Sequence, residues 1–309
     1  MRGYHGNTVA SVSVSGRPHM VADFDLPLPG FLHTDNPNFY RFSHDEESEA
    51  DFATRMADSL EQLILPEGPE TVGAFFAEPV QGGGGAITPP ETYWPKIQAI
   101  LKKYDILFVA DEVICGFGRT GNMWGCQTYD LEPDMISCAK ALSAPYQPIS
   151  VLLINEKIHQ AMLVESRKIG SSGHGFTYGA HPVACAVALE TLAIYAKREH
   201  RRHVKAVSGA FLDGLKALEA HPLVGNARGV GLIAGVELMA DKATRTPFDP
   251  ALKIGTLVHD KCLEAGLIVR AIGDRIAFTP PLIITVEQIQ DLLVMFRKGL
   301  DAALAEMAG

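Results

Sequence analysis

Three residues in this sequence could do chemistry that ordinary core residues cannot: Glu78, Asp111 and Lys140. Each follows a short apolar run. "TVGAFFAEPV" carries Glu78 near its end, "ILFVADEV" carries Asp111 and Glu112, and "DMISCAK" closes on Lys140. An unpaired carboxylate at the edge of a core is costly, so a cation must face Asp111. A lysine held near apolar walls has a lowered pKa and can form a Schiff base with an aldehyde. A buried aspartate near it could hold a protonated ring nitrogen. The competing reading is a plain Asp111–Lys140 salt bridge at the rim of a sheet. Spacing alone leaves both open.

The elements that must position these groups are legible as patterns. The apolar runs are too short, and too rich in β-branched and aromatic residues, for helices; they read as buried strands. "FATRMADSLEQLIL" and "PPETYWPKIQAILKKYD" have helical spacing, and "ISVLLIN" reads as a fourth strand. Strand and helix in alternation predict an α/β fold, a mostly parallel sheet covered by helices on both faces. In such sheets ligands sit at the carboxyl ends of the strands, where all three residues fall. Residues 35–50 are polar and turn-rich and read as a surface loop. "HPVACAVALETLAIYAKREHRR" reads as one long amphipathic helix. Beyond it, helical "VKAVSGAFLDGLKALEA", strand-like "VGNARGVGLIAGVEL" and "LIVRAIGDRIAFTPPLIIT", and a closing helix from Val286 predict a smaller α+β domain. The expected division is 1–204 and 205–309.

Composition narrows the class. The apolar share of 47% and charged share of 20% are those of a globular protein. A net charge of −9 argues against a nucleic-acid surface. Five scattered cysteines show no metal-type pairing and read as thiols of a reducing compartment. No apolar run approaches the roughly 18 residues of a membrane helix, and "MRGYHGNTVA" has no signal-peptide character. The expected location is cytoplasmic.

A lysine imine together with a carboxylate on a pyridinium nitrogen is what a pyridoxal phosphate site needs. "FVADEVICGFGRTG" followed by "PDMISCAKALSAPYQPIS" closely resembles the cofactor signature of class III (subgroup II) pyridoxal-phosphate aminotransferases. "GYHGNT", "AEPVQGGGGAITPP", "HGFTYGAHPVACAVALE" and "RAIGDRIAFTPPLIIT" match further blocks of that family in order. The resemblance implies fold type I, pyridoxal 5'-phosphate as cofactor, and obligate homodimers with shared active sites. Lys140 would carry the Schiff base and act as general acid and base. Asp111 would pair with the pyridine nitrogen. Val113 and Tyr4 would lie against opposite faces of the ring. Thr177 would reach the cofactor phosphate of the neighbouring subunit, the alternative being a cap on the helix that begins near His181. Arg270 would pair bidentately with a substrate carboxylate, and Glu78 would support the site by hydrogen bonding near Asp111.

The implied activity is transfer of an amino group from an amine or amino acid to a keto acid such as pyruvate. An aminomutase or a racemase on the same site is an alternative. Gly83 stands where ornithine and 4-aminobutyrate aminotransferases have a glutamate, which points towards the ω-transaminase or β-alanine–pyruvate kind. Arg119, between two glycines, reads as a loop anchor, and His5, His174 and His181 as structural. Relatives also carry an upstream "GSEAN"-like turn whose amides cradle the phosphate, and residues 1–40 hold no such turn. The chain therefore reads as lacking the N-terminal third of the family chain, which raises a further alternative, a non-catalytic fragment or pseudoenzyme.

Overall fold

The computed structural model describes residues 1–308. Its first sheet holds β1 (Ala74–Ala77), β2 (Leu107–Asp111), β3 (Met135–Cys138) and β4 (Val151–Ile154), in that order. The first three run parallel, and β4 is antiparallel to β3. Ala77 pairs with Ala110 and Asp111 with Ser137, so β1, β2 and β3 leave the sheet at one edge. This register brings Glu78, Asp111 and Lys140 to a common rim.

The chain opens with α1 (Val9–Val14) and α2 (Phe39–Phe42), and α3 (Glu49–Glu67) and α4 (Tyr93–Lys103) cover β1 and β2. Helix α3 starts where the Ser48 hydroxyl accepts the Asp51 N–H, with Glu49 and Asp51 favourably placed in the first turn. Its buried stripe of Phe52, Met56, Leu60 and Ile64 packs with Trp94, Ile97 and Phe108 in one core. Then follow α5 (Gly125–Thr128), α6 (Glu156–Ile169) and α7 (Pro182–Lys197).

A second core surrounds an antiparallel sheet of β5 (Val224–Val230), β6 (Ile233–Leu238), β7 (Arg270–Ala271) and β8 (Arg275–Phe278), ordered β5-β6-β8-β7. Phe211 of α8 (His200–Ala217), Val258 of α9 (Ile254–Glu264) and Phe296 of α10 (Val286–Ala308) close over Val236, Ile276 and Phe278.

Three expectations need correction. The long helix from His181 is two: α7 ends at Lys197, and Glu199 at φ +47° turns the chain before α8. Helix α7 is apolar nearly all round, with Leu189 69% exposed, rather than amphipathic. Residues 35–50 are not merely a surface loop. Asn38 donates to the buried Glu237 carboxylate at 2.9 Å and Arg41 pairs with it at 2.7 Å, so this segment is tied to β6 through a buried ion network completed by Arg228. Finally, the first sheet is not covered on both faces along β4, where Val151, Leu152 and Leu153 are exposed, because α6 contributes no buried residue.

Candidate active site

Asp111 ends β2 as a buried carboxylate with both oxygens engaged. Oδ1 accepts the Val113 N–H at 3.0 Å, and Oδ2 lies 2.8 Å from His5 Nδ1. The plain Asp111–Lys140 salt bridge is not what the chain makes: His5 takes that place. A local N–H and a histidine from the start of the chain hold the carboxylate and leave lone pairs for one further partner. His5, read as structural, is the side chain that holds Asp111. Nothing local in "GYHG" signals a contact 106 residues away.

Glu112 has a different job. Its two oxygens accept the N–H groups of Gly125 at 2.8 Å and Cys126 at 2.6 Å, anchoring the start of α5. Burial raises its pKa, against those two hydrogen bonds. Of the paired acids, only Asp111 faces the rim.

Lys140 begins a single 3-10 turn directly after β3, at φ +46°. A non-glycine residue in this left-handed region costs on the order of 1–3 kcal/mol, strain that collects at functional positions. The side chain reaches solvent, yet partial desolvation lowers its pKa, helped by Arg270 and opposed by Glu78 and Asp111. Arg270 opens β7, exposed, and its field acts on Lys140.

Glu78 sits one residue past β1, buried, accepting the N–H of Gly82 at 2.9 Å and of Tyr4 at 3.3 Å. It holds Tyr4 and the glycine loop and makes no hydrogen bond to Asp111. Burial, then the nearby Asp111 charge, raise its pKa to about 7. The folded chain therefore keeps a proton on Glu78 that the unfolded chain gives up near pH 4.5. This stabilisation is fully present below about pH 4.5 and is lost as pH rises to about 7, at most about 3 kcal/mol. Glu78→Gln should flatten the pH dependence of the melting temperature in that window. An unchanged slope in thermal melts would remove this assignment.

Tyr4 is half-buried, and the Arg17 guanidinium lies over its ring at 5.4 Å. Val113 is half-buried beside Asp111. Thr177 lies apart, on the exposed segment 170–181 that also presents Phe176 (79% exposed) and Tyr178 (83% exposed). It does not cap α7, whose N-cap is His181 without a side-chain bond. Arg119 donates to the carbonyls of Leu232 at 2.9 Å and Pro280 at 2.5 Å, tying the glycine loop to the second sheet as a structural anchor.

This arrangement, an unpaired amine beside a fixed buried carboxylate at the carboxyl edge of a largely parallel sheet, together with a second antiparallel sheet, defines the fold of the pyridoxal-phosphate-dependent transaminases. A solved transaminase with L-ala superposes with a TM-score of 0.97 at 50% identity, over 99% of this chain and 72% of that one. The omega transaminase from Pseudomonas jessenii in complex with PMP gives a TM-score of 0.96 at 48% identity, over 99% and 67%. Residues 1–300 match the family model described as aminotransferase class-III. The chain belongs to the class III aminotransferase family.

Among its curated relatives, gamma aminobutyrate transaminase 3, chloroplastic, of Solanum lycopersicum is 50% identical over 299 residues, 97% of this chain and 58% of the relative. Gamma-aminobutyrate transaminase 1, mitochondrial, of Oryza sativa subsp. indica is 48% identical over 307 residues, 99% and 60%. The chain thus spans about three fifths of the length of these relatives.

Class III aminotransferases depend on pyridoxal 5'-phosphate. The residues present fit its ring end: a free amine for the aldehyde, and a buried carboxylate with unspent lone pairs for a ring nitrogen. Among the described residues no helix is long and apolar enough to cross a membrane, and no cluster of His, Cys, Asp or Glu could hold a metal.

Proposed function

We propose that this site performs amino transfer from an amine or amino acid to a keto acid such as pyruvate. The observation that carries the reading is the unpaired Lys140 amine, lowered in pKa, within the field of a buried Asp111 fixed by two donors. When bound, pyridoxal 5'-phosphate supplies the aldehyde that Lys140 captures and a ring that accepts the electron pair left behind by a departing proton. The Lys140 amine, its pKa lowered by desolvation, takes a proton from the substrate carbon next to nitrogen and returns one. Asp111 holds the proton on the ring nitrogen, and His5 and the Val113 N–H keep its carboxylate in plane. Tyr4 and Val113 would lie against opposite faces of the cofactor ring. Arg270, exposed on β7, receives the substrate carboxylate.

Thr177 donates to the phosphate of a neighbouring subunit. The exposed Phe176 and Tyr178 around it, with the bare apolar faces of β4 and α7, support a homodimer with shared sites. Residues 1–204 would form the cofactor-binding domain and 205–309 the smaller one. Unpaired cysteines suit a reducing compartment such as the cytoplasm.

Keto-acid-dependent turnover of an amine donor tests the reaction, because an aminomutase or racemase needs no net amino acceptor. Multiple turnovers without any keto acid would exclude transamination. Within this reaction, Arg270→Ala should raise the KM for pyruvate at least about tenfold and leave the half-reaction with a simple amine nearly intact. Equal losses in both half-reactions would make Arg270 structural.

A further inference from the structure

One buried cation is left over by the fold and by the site. Arg275 opens β8 and is only 3% exposed, yet its Nε has no hydrogen-bond partner. Among the described residues its guanidinium enters no ion pair. The acid it could meet is at hand but already occupied. Arg275 stands directly opposite Glu237 in the register of β8 against β6, where the Cβ atoms of facing residues lie about 5 Å apart. Glu237 Oε1 accepts from Asn38 at 2.9 Å and from Arg228 at 2.8 Å, and Oε2 accepts from Arg41 at 2.7 Å.

A single loop residue places Arg275 beside Arg228. The Gly85 carbonyl accepts Arg228 Nη2 at 2.9 Å, and a Cβ on Gly85 would stand 2.8 Å from Arg275 Cδ and 3.1 Å from its Nε. Three guanidinium groups, of Arg41, Arg228 and Arg275, therefore gather round the one carboxylate of Glu237. Two positive charges remain uncompensated in a buried setting, which proteins tolerate only when something pairs with them. Losing a proton does not relieve this. Burial pushes the Arg275 pKa down to about 10, still far above neutrality.

We propose that Arg275 binds a small monovalent anion of chloride size, held against the glycine loop 82–85 by its Nε–H and by the surplus charge round Glu237. The near-complete enclosure of Arg275 restricts the ligand to a small ion. The same loop is held at its other end by Glu78, which accepts the Gly82 N–H. The anion thus clamps the loop between the first sheet and the second. This inference stands apart from the reading of the site as an aminotransferase site.

The test is thermal melting of the purified chain while sodium chloride replaces sodium gluconate, an anion too large to enter, at constant ionic strength. The response is read as the difference between the unaltered chain and Arg275→Met, which cancels the general effect of the salts. The unaltered chain should gain about 3 °C, saturating with chloride, as a ligand at roughly tenfold excess over its Kd would give. Arg275→Met should fold, lose that gain, and melt higher than the unaltered chain in gluconate, because it removes an unpaired buried charge. Arg275→Lys, with a charge but no planar fork, should show a smaller gain. Equal chloride responses in the unaltered chain and in Arg275→Met would overturn the proposal. So would an Arg275→Met chain that cannot fold, since the guanidinium would then be satisfied by the chain itself.

Discussion

Lys140→Ala should abolish capture of pyridoxal 5'-phosphate and lower the proposed amino transfer by at least about three orders of magnitude, while the fold persists. The two effects separate because of where Lys140 sits. Its side chain reaches solvent and makes no ion pair among the described residues, so truncation removes little packing and should shift stability by about 0.5 kcal/mol or less. The chemistry loses both its nucleophile and its proton carrier, and proton transfer by a positioned side chain is itself worth roughly 10²–10⁴-fold. The left-handed backbone at φ +46° is equally strained for alanine, so the substitution gains nothing there. Absorbance of the bound cofactor, turnover and thermal melts check the three parts. A variant that keeps its colour and its turnover would show that another amine does the work.

Asp111→Asn is the second large effect. The amide keeps the size of the carboxylate and can still accept the Val113 N–H, so the local backbone should hold. What disappears is the buried negative charge that, in the proposed function, would stabilise a proton on the ring nitrogen. Removing one partner of a buried charged pair costs about 3–5 kcal/mol, which is roughly two to nearly four orders of magnitude in the amino-transfer rate. Asp111→Glu keeps the charge and moves it, and should recover only part of the loss because His5 and Val113 hold the shorter side chain in place. Near-full activity of the Asn variant, measured in single turnover, would mean that Asp111 only shapes the loop.

The rim residues were legible in the sequence because each signal is local. An apolar run of β-branched and aromatic residues, broken by an acid or a lysine, marks a strand leaving a core, and parallel alternation places those ends together. The contacts between rim residues were not legible. His5 reaches Asp111 from 106 residues away and Arg17 reaches Gly83 from 66 away, and no periodicity encodes such pairings. Helix α6 buries none of its residues although its sequence is amphipathic, so no core contact accompanies its pattern. The break between α7 and α8 falls inside "KREHRR", where no glycine or proline marks the turn at Glu199. Asn36, Asn38 and Arg41 read as surface polarity, yet Asn36 and Asn38 are buried, and Asn38 and Arg41 are held by the carboxylate of Glu237, a residue that sequence order places far away.

The central claim is that Lys140 is the amine that captures the cofactor. Borohydride reduction of the protein with pyridoxal 5'-phosphate, followed by peptide mass analysis, reads it directly. The expected result is one irreversible adduct, on the peptide carrying "ISCAKALSAPY", absent from the Lys140→Ala variant. An adduct on any other lysine, or no adduct under saturating cofactor, would contradict the account.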